Sequence, residues 1–172
     1  GGAIYSGWDT AELDDFKWVA FVDADGAISS QETLRFLSLA TQDNADKKKC
    51  LWSIRVKGEG KDIQRTPIRN FLGNVFRIIV KCLFNIPVKD TQCGLKCIPL
   101  EAYHEIRNRL TERRFVFDVE LASLLIRNEY QLEQIAIDWQ ESPGSTVKLS
   151  SAFRMAASLL VIRLRLFLGN NN

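Results

Sequence analysis

Two aspartates one residue apart, Asp23 and Asp25, close a run of apolar residues, WVAFV at 18–22. Ligands of parallel α/β sheets collect at the carboxyl ends of strands, so a strand ending in carboxylates aims them at a crevice rather than a core. Mg²⁺ and Mn²⁺ take hard oxygen ligands, usually one or two carboxylates completed by phosphates and water. The pair therefore suits a metal-bound diphosphate. Solvated aspartates in a strand-end turn are the plainer alternative. A calcium loop fails on spacing: counted from Asp23, the sixth residue is Ile28 instead of glycine, the twelfth is Leu34 instead of glutamate, and a strand precedes it instead of a helix.

The other acidic candidates are Asp90, in DTQCG, and Asp118 with Glu120, in FDVE. Glu120 has a bland alternative as a helix-start carboxylate favoured by the helix dipole. Arg55, Arg65 and Arg69 are the basic candidates, since guanidinium forks match phosphate oxygens. Taken alone they read equally as a solvated loop and helix start. The single histidine, His104, falls in a polar stretch and reads as a surface residue.

These residues need a layered α/β frame. The segment from Phe16 to Val22 reads as a short buried strand, and Ser29 with Glu32 makes a capping-box start for a helix through Leu34, Leu37 and Ala40. CLWSIRV, 50–56, is the next strand, expected to pair in parallel with the first. Pro67 opens a long amphipathic helix whose Ile68, Phe71, Leu72, Val75, Ile79, Cys82 and Leu83 form the inward face. Its other side, with Phe76, Val80 and Phe84 among Arg69, Arg77 and Lys81, suits a membrane surface or a partner. Helices follow from Pro99 and from FDVE, the latter with Leu121, Leu124 and Leu125 inward. A half-buried strand then carries Ile135, Ile137 and Trp139. A last amphipathic helix, at 150–169, gathers Phe153, Ala156, Ala157, Leu160, Leu164, Phe167 and Leu168 on one face.

At 172 residues, 46% of them hydrophobic and 26% charged, the chain has the balance of one folded domain. A net charge of +2 is too small for a nucleic-acid binder, so phosphate preference must come from local clusters such as Arg65/Arg69 and Arg163/Arg165. The four cysteines lack zinc spacing and read as reduced, cytosol-facing thiols, with zinc or a disulfide framework as the lesser alternative. The opening residues are not expected to act as a signal peptide, and no apolar run in the sequence is long enough to span a bilayer.

The order of motifs is specific. GGAIYSGW, VDADGAIS, SIRVKG, DTQCGLK, RRFVFDVE, IDWQESPGS and IRLR follow one another along nearly the whole chain. In this order the chain resembles the family 2 glycosyltransferases of GT-A fold, in the branch that loads sugars onto polyprenyl phosphates. DTQCG followed by FDVE favours its glucosyl members and their bacterial cousins over those that make mannosyl phosphodolichol. The resemblance implies a GT-A, Rossmann-like and mostly parallel sheet flanked by helices, with a membrane-proximal amphipathic helix at 150–169. It implies inverting transfer of glucose from UDP-glucose to dolichyl phosphate at the cytosolic face of the endoplasmic reticulum membrane, or of the plasma membrane in a prokaryote.

By the same resemblance, Asp23 and Asp25 hold a divalent metal, Mg²⁺ or Mn²⁺, with Asp23 also at the sugar nucleotide. Arg55, Arg65, Arg69, Gln92, Ser145 and Lys148 contact substrate. Asp90, Asp118 and Glu120 form the catalytic group, Asp90 orienting acceptor, metal or a phosphate-binding side chain, and Asp118 forming the floor. A phosphomonoester acceptor, with its second pKa about 6, is largely dianionic at neutral pH and needs no strong base.

Three departures from the pattern stand out. Ser53-Ile54-Arg55 replaces the usual Gly-Ser-Arg, and Gly144-Ser145-Thr146 stands where Lys commonly follows Gly-Ser, with Lys148 two residues late. The chain also begins at a segment that in relatives follows a first strand, helix and second strand. It is therefore expected to lack the N-terminal third of the family domain, the part that reads the nucleotide base. The alternatives are a bacterial-type transferase for another hexose, or an inactive remnant serving as a membrane- or partner-binding module.

Overall fold

The computed structural model describes residues 1–12, 15–42, 48–55, 67–140 and 149–168, the side chains at 67–72 and 149–153 excepted. In chain order the elements are α1 (Gly2–Trp8), β1 (Trp18–Val22), α2 (Ser30–Ser38), β2 (Lys49–Arg55), α3 (Pro67–Phe84), β3 (Leu95–Pro99), α4 (Leu100–Ile106), a 3-10 turn (Arg107–Arg109), α5 (Phe117–Arg127), β4 (Gln131–Ile137) and α6 (Leu149–Leu168).

The four strands form one sheet in the order β1-β3-β2-β4. β3 runs antiparallel to both β1 and β2, and β2 runs parallel to β4, so three of the four strands point one way. The mostly parallel α/β sheet expected of a GT-A fold is present, with one correction. β1 and β2 do not pair with each other, because β3 lies reversed between them. The sequence pattern concealed β3: LKCIP holds a lysine and ends in a proline, which reads as a helix start instead of a strand end.

Strand alternation sorts the core into two faces. Cys50 and Trp52 of β2 and Ile98 of β3 join the larger cluster with α1, α3, α4, α5 and α6. Leu51 of β2 and Leu95 and Cys97 of β3 point the other way, into a smaller cluster under α2 with Ile28 and Phe36. Helix α5 is the central piece, with every residue from Phe117 to Leu125 buried, including the expected Leu121, Leu124 and Leu125. Helix α2 starts as its sequence predicts, the Ser29 Oγ accepting the Glu32 N–H at 3.1 Å. The Glu32 carboxylate, however, pairs with Arg35 instead of reaching back to complete the box.

The amphipathic helices differ from expectation. In α3, Val80 is buried, and Phe76 and Phe84 pack on the core beside Ile79 and Leu83, so these rings are not a surface feature. Among the described side chains of α3, Ile78 is the large apolar one left exposed. In α6 the buried stripe is Leu159, Ile162 and Leu166, while Leu160, Leu164, Phe167 and Leu168 of the anticipated inward face stand exposed with Val161. Hydrophobic periodicity located this helix, but two apolar stripes share it and the broader one faces outward. His104 is half-buried against the Tyr103 ring instead of lying on the surface. The four thiols are free, and burial pushes that of Cys97 up to about 12, a setting for inert cysteines.

Candidate active site

The reversed β3 gathers the chemistry. The start of an antiparallel strand lies beside the ends of its neighbours, so the 90–94 segment preceding β3 sits next to Asp23 after β1 and Arg55 at the end of β2. The Asp23 N–H donates to the Gly94 carbonyl at 2.7 Å, extending the ladder by one residue. The Asp23 carboxyl then lies directly over Gly94: a Cβ there would stand 2.1 Å from Oδ2. Only glycine leaves room. Two residues on, Asp25 Oδ1 accepts the Ala27 N–H at 3.0 Å, and Gly26 at φ +73° closes the turn.

Arg55 and Asp90 face each other as a fork. Nε and Nη2 of Arg55 donate to the two Asp90 oxygens at 2.5 and 2.9 Å. The Trp52 indole donates to the Asp90 carbonyl at 3.2 Å, and the Gln92 N–H to Oδ1 at 3.2 Å. Burial pushes the Asp90 carboxyl up, but Arg55 and the Gln92 N–H outweigh it and hold the group below its ordinary value. Arg55 also lies 5.4 Å from the Trp139 ring centre.

Behind Asp23 sits a charge the sequence reading did not select. Lys96 is fully buried, its Nζ 2.6 Å from Asp118 Oδ1 and donating to the Cys93 carbonyl at 2.6 Å. Its ammonium is flanked by the Phe21 and Trp52 rings, 5.0 and 4.6 Å from their centres. The signal was available: a lysine in a buried strand is tolerated only when paired. Burial pushes the Asp118 carboxyl up to about 6, with Lys96 pulling it down and Asp23 adding to the push. Asp23 is likewise raised, first by burial, then relieved by Lys96 and pushed again by Asp25.

No protein-family model matches the chain, and no solved structure matches it at a significant level. Curated proteins do match. The dolichyl-phosphate beta-glucosyltransferase of Saccharomyces cerevisiae is 31% identical over 163 residues, which are 89% of this chain and 49% of that protein. The Dictyostelium discoideum protein of the same name is 31% identical over 156 residues, 89% of this chain and 48% of its own length. The Homo sapiens one is 36% identical over 107 residues, 62% of this chain and 33% of its own. The chain is a relative of the dolichyl-phosphate beta-glucosyltransferases. It spans about half the length of the curated relatives it matches over most of its own length.

In this relative of the dolichyl-phosphate beta-glucosyltransferases, the residues singled out from sequence divide into three groups. Asp23, Asp25, Arg55, Asp90, Gln92 and Asp118 come together around the start of β3, Gln92 holding the Phe115 carbonyl at 3.1 Å and so tying DTQCG to the FDVE helix. Glu120 does not join them. It accepts the Thr111 and Glu112 N–H groups at 2.8 and 2.7 Å and the Thr111 hydroxyl at 2.7 Å, which commits both its oxygens to the turn before α5. Arg65, Ser145 and Lys148 lie outside the described residues, as does the side chain of Arg69 in α3.

A divalent cation fits the residues present. Burial raises Asp23, Asp25 adds to the push, and Asp23 in turn helps to raise Asp118. Asp118 Oδ1 is buried without an aligned hydrogen-bond donor, its contact with Lys96 being an ion pair alone. Among the described residues no cluster of three His, Cys, Asp or Glu forms a complete metal cage. Two carboxylates completed by a diphosphate are the arrangement Mg²⁺ commonly adopts.

Proposed function

We propose that this chain forms the metal- and acceptor-handling part of an inverting glycosyltransferase that moves glucose from UDP-glucose to dolichyl phosphate. We place it at the cytosolic face of the endoplasmic reticulum membrane. The observation that carries the reading is the convergence of DTQCG and FDVE on the paired aspartates. The names of the matched relatives support the substrates. The exposed apolar stripe of α6 supports work at a bilayer, while among the described residues no helix is long and apolar enough to cross one.

Bound at Asp23 and Asp25, Mg²⁺ or Mn²⁺ supplies the charge that lets the diphosphate leave. The chain's own residues do the rest. Arg55, held by Asp90 and lying near Trp139, offers a preoriented guanidinium to a phosphate. Asp90 thus takes the third of its anticipated roles, orienting a phosphate-binding side chain. The acceptor phosphate is already dianionic near neutrality. One of its oxygens bonds to the anomeric carbon as the bond from that carbon to the departing diphosphate oxygen breaks on the opposite face. No proton needs removing, so Asp118 serves as the charged floor that fixes Lys96, and Glu120 positions the turn leading into α5.

Calorimetric titration of UDP into the chain, with and without Mn²⁺, tests the reading. Binding should require Mn²⁺ and should be lost in Asp25→Asn, whose exposed position leaves the fold unchanged. Metal-independent binding, or normal binding in Asp25→Asn, rejects the assignment.

A further inference from the structure

A cavity lies away from the carboxylates, and the way the chain leaves α3 builds it. Helix α3 ends at Phe84, and Asn85, at φ 49°, takes the left-handed conformation that closes a helix, its N–H returning to the Lys81 carbonyl at 3.1 Å. The chain then doubles back along α3 in extended form. Ile86 and Val88 turn inward and are buried, while Pro87 and Lys89 face out. Gln134 of β4 pins this return by accepting the Lys89 N–H at 2.9 Å and donating to the Pro87 carbonyl at 3.3 Å. Between helix and return lies a groove of about 710 Å³, within the size range of small-molecule sites.

The lining is one-sided in charge. Asn74, Arg77, Ile78 and Lys81 supply one wall at helical spacing, and Lys89 stands across from them. Val80, Ile86 and Val88 form an apolar floor, and the groove ends at Thr91, next to Asp90. Among the described residues none that lines it is acidic, and no carboxylate forms an ion pair with Arg77, Lys81 or Lys89. Arg77 is steadied by Asn74, its guanidinium donating to the amide oxygen. Ile78, 61% exposed, projects beside these cations with nothing covering it.

Three cations around an apolar floor, with an isoleucine at the rim, complement an amphiphile that has an anionic head. We propose that this groove seats the phosphate head of an anionic membrane phospholipid, with Ile78 entering the acyl boundary. A free phosphate would use the cations but not the floor or Ile78. A zwitterionic surface would use Ile78 but not the uncompensated charge. Long Lys and Arg side chains reach head groups while their stems cover apolar surface, which is the chemistry this rim presents. The inference rests on the reading that the chain works at a bilayer, and it adds which surface meets the lipid and why the lipid is acidic.

The test is co-sedimentation of the chain with vesicles of phosphatidylcholine alone and of phosphatidylcholine mixed with phosphatidylserine. Each basic residue near an anionic surface contributes about fivefold, so Lys81→Gln with Lys89→Gln should weaken binding to the acidic vesicles roughly thirty-fold. Binding to phosphatidylcholine should not change. Both lysines are exposed, so melting temperature and circular dichroism should match the parent chain. Arg107→Gln with Arg109→Gln, an exposed pair outside the groove, serves as the control and should lose much less.

Equal losses in the two pairs would mean diffuse charge attraction and overturn the groove. Unaltered binding in the Lys81/Lys89 variant, or equal affinity for both vesicle types, overturns it as well. So does release of vesicles by inorganic phosphate at matched ionic strength, which would make the groove a free-phosphate site. The transferase reading stands or falls separately, on Mn²⁺-dependent UDP binding. A chain that binds acidic vesicles through the groove but takes no nucleotide keeps the groove and loses the transferase assignment.

Discussion

Replacing Lys96 by methionine tests how the buried floor of the site is held. Asp118 is pushed up to about 6 by burial, even with Lys96 beside it, whereas an unfolded aspartate titrates near 3.9. A folded value above the unfolded one means that this carboxyl stabilises the fold only when protonated. Its contribution is full below about pH 4 and is lost as pH rises through about 6, a change of about 3 kcal/mol. In Lys96→Met the carboxylate loses its cation. Remaining charged and unpaired would cost about 3–5 kcal/mol, so the group takes up a proton instead. Relative to the parent, that proton costs about 1 kcal/mol at pH 7, above the parent value, and almost nothing at pH 5. Asp23, which Lys96 also pulls down, adds in the same direction. Urea unfolding of parent and variant at both pH values should therefore show a stability gap wider at pH 7 by about 1 kcal/mol or somewhat more. In an Asp118→Asn background the same substitution should cost nearly the same at both pH values. A gap that is flat with pH, or wider at pH 5, refutes the reasoning.

Gly94→Ala adds a methyl group 2.1 Å from Asp23 Oδ2, so the carboxyl must swing away; Mn²⁺-dependent UDP binding should fall at least tenfold, a loss of about 1.4 kcal/mol, visible by calorimetry. If a transfer assay is established for a protein carrying this segment, Asp118→Asn should keep any rise in rate near pH 6, because that rise belongs to the acceptor phosphate. Its disappearance would assign the ionisation to Asp118 and make that residue a base. Leu164→Ser with Phe167→Ser, both 61% exposed, should weaken binding to neutral and acidic vesicles alike, with an unchanged melting temperature. A large drop in melting temperature would show that this stripe is packed in solution.

Where one element met one partner, the sequence was a good guide. The β1 run into two carboxylates, the Ser29 start of α2, and the inward leucines of α5 follow from local pattern alone, because each has one apolar face and one place to put it. The reversal of β3 was not legible, since strand order is set by packing between distant segments and leaves no local mark. Helices α3 and α6 misled for a related reason: each carries apolar residues nearly all round, and periodicity finds such a helix without saying which stripe meets the core. At the site, residue types pointed to Asp23, Asp25, Arg55, Asp90 and Asp118. Lys96 lies inside β3 and not at a strand end where site acids and arginines collect, and its one sequence mark is a lone cation between Leu95 and Cys97, which burial requires to be paired. Glu120 reads as chemistry in FDVE, but only coordinates reveal that Thr111 and Glu112 occupy its oxygens.

The strand order also has a kinetic side. β1 has no strand partner near it in the chain: Trp18 pairs with Pro99 and Val22 with Leu95, so its ladder closes a loop that contains β2 and α3. Closing so long a loop carries an entropic cost before any contact repays it, and such distant pairings form slowly. The Asp23 N–H reaches the Gly94 carbonyl at the end of that same ladder. The acidic pair therefore depends on a long-range closure rather than on a local hairpin. A ligand that bridges Asp23 and the 90–94 segment would hold the last strand in place, and by mass action would raise the apparent stability of the edge of the sheet.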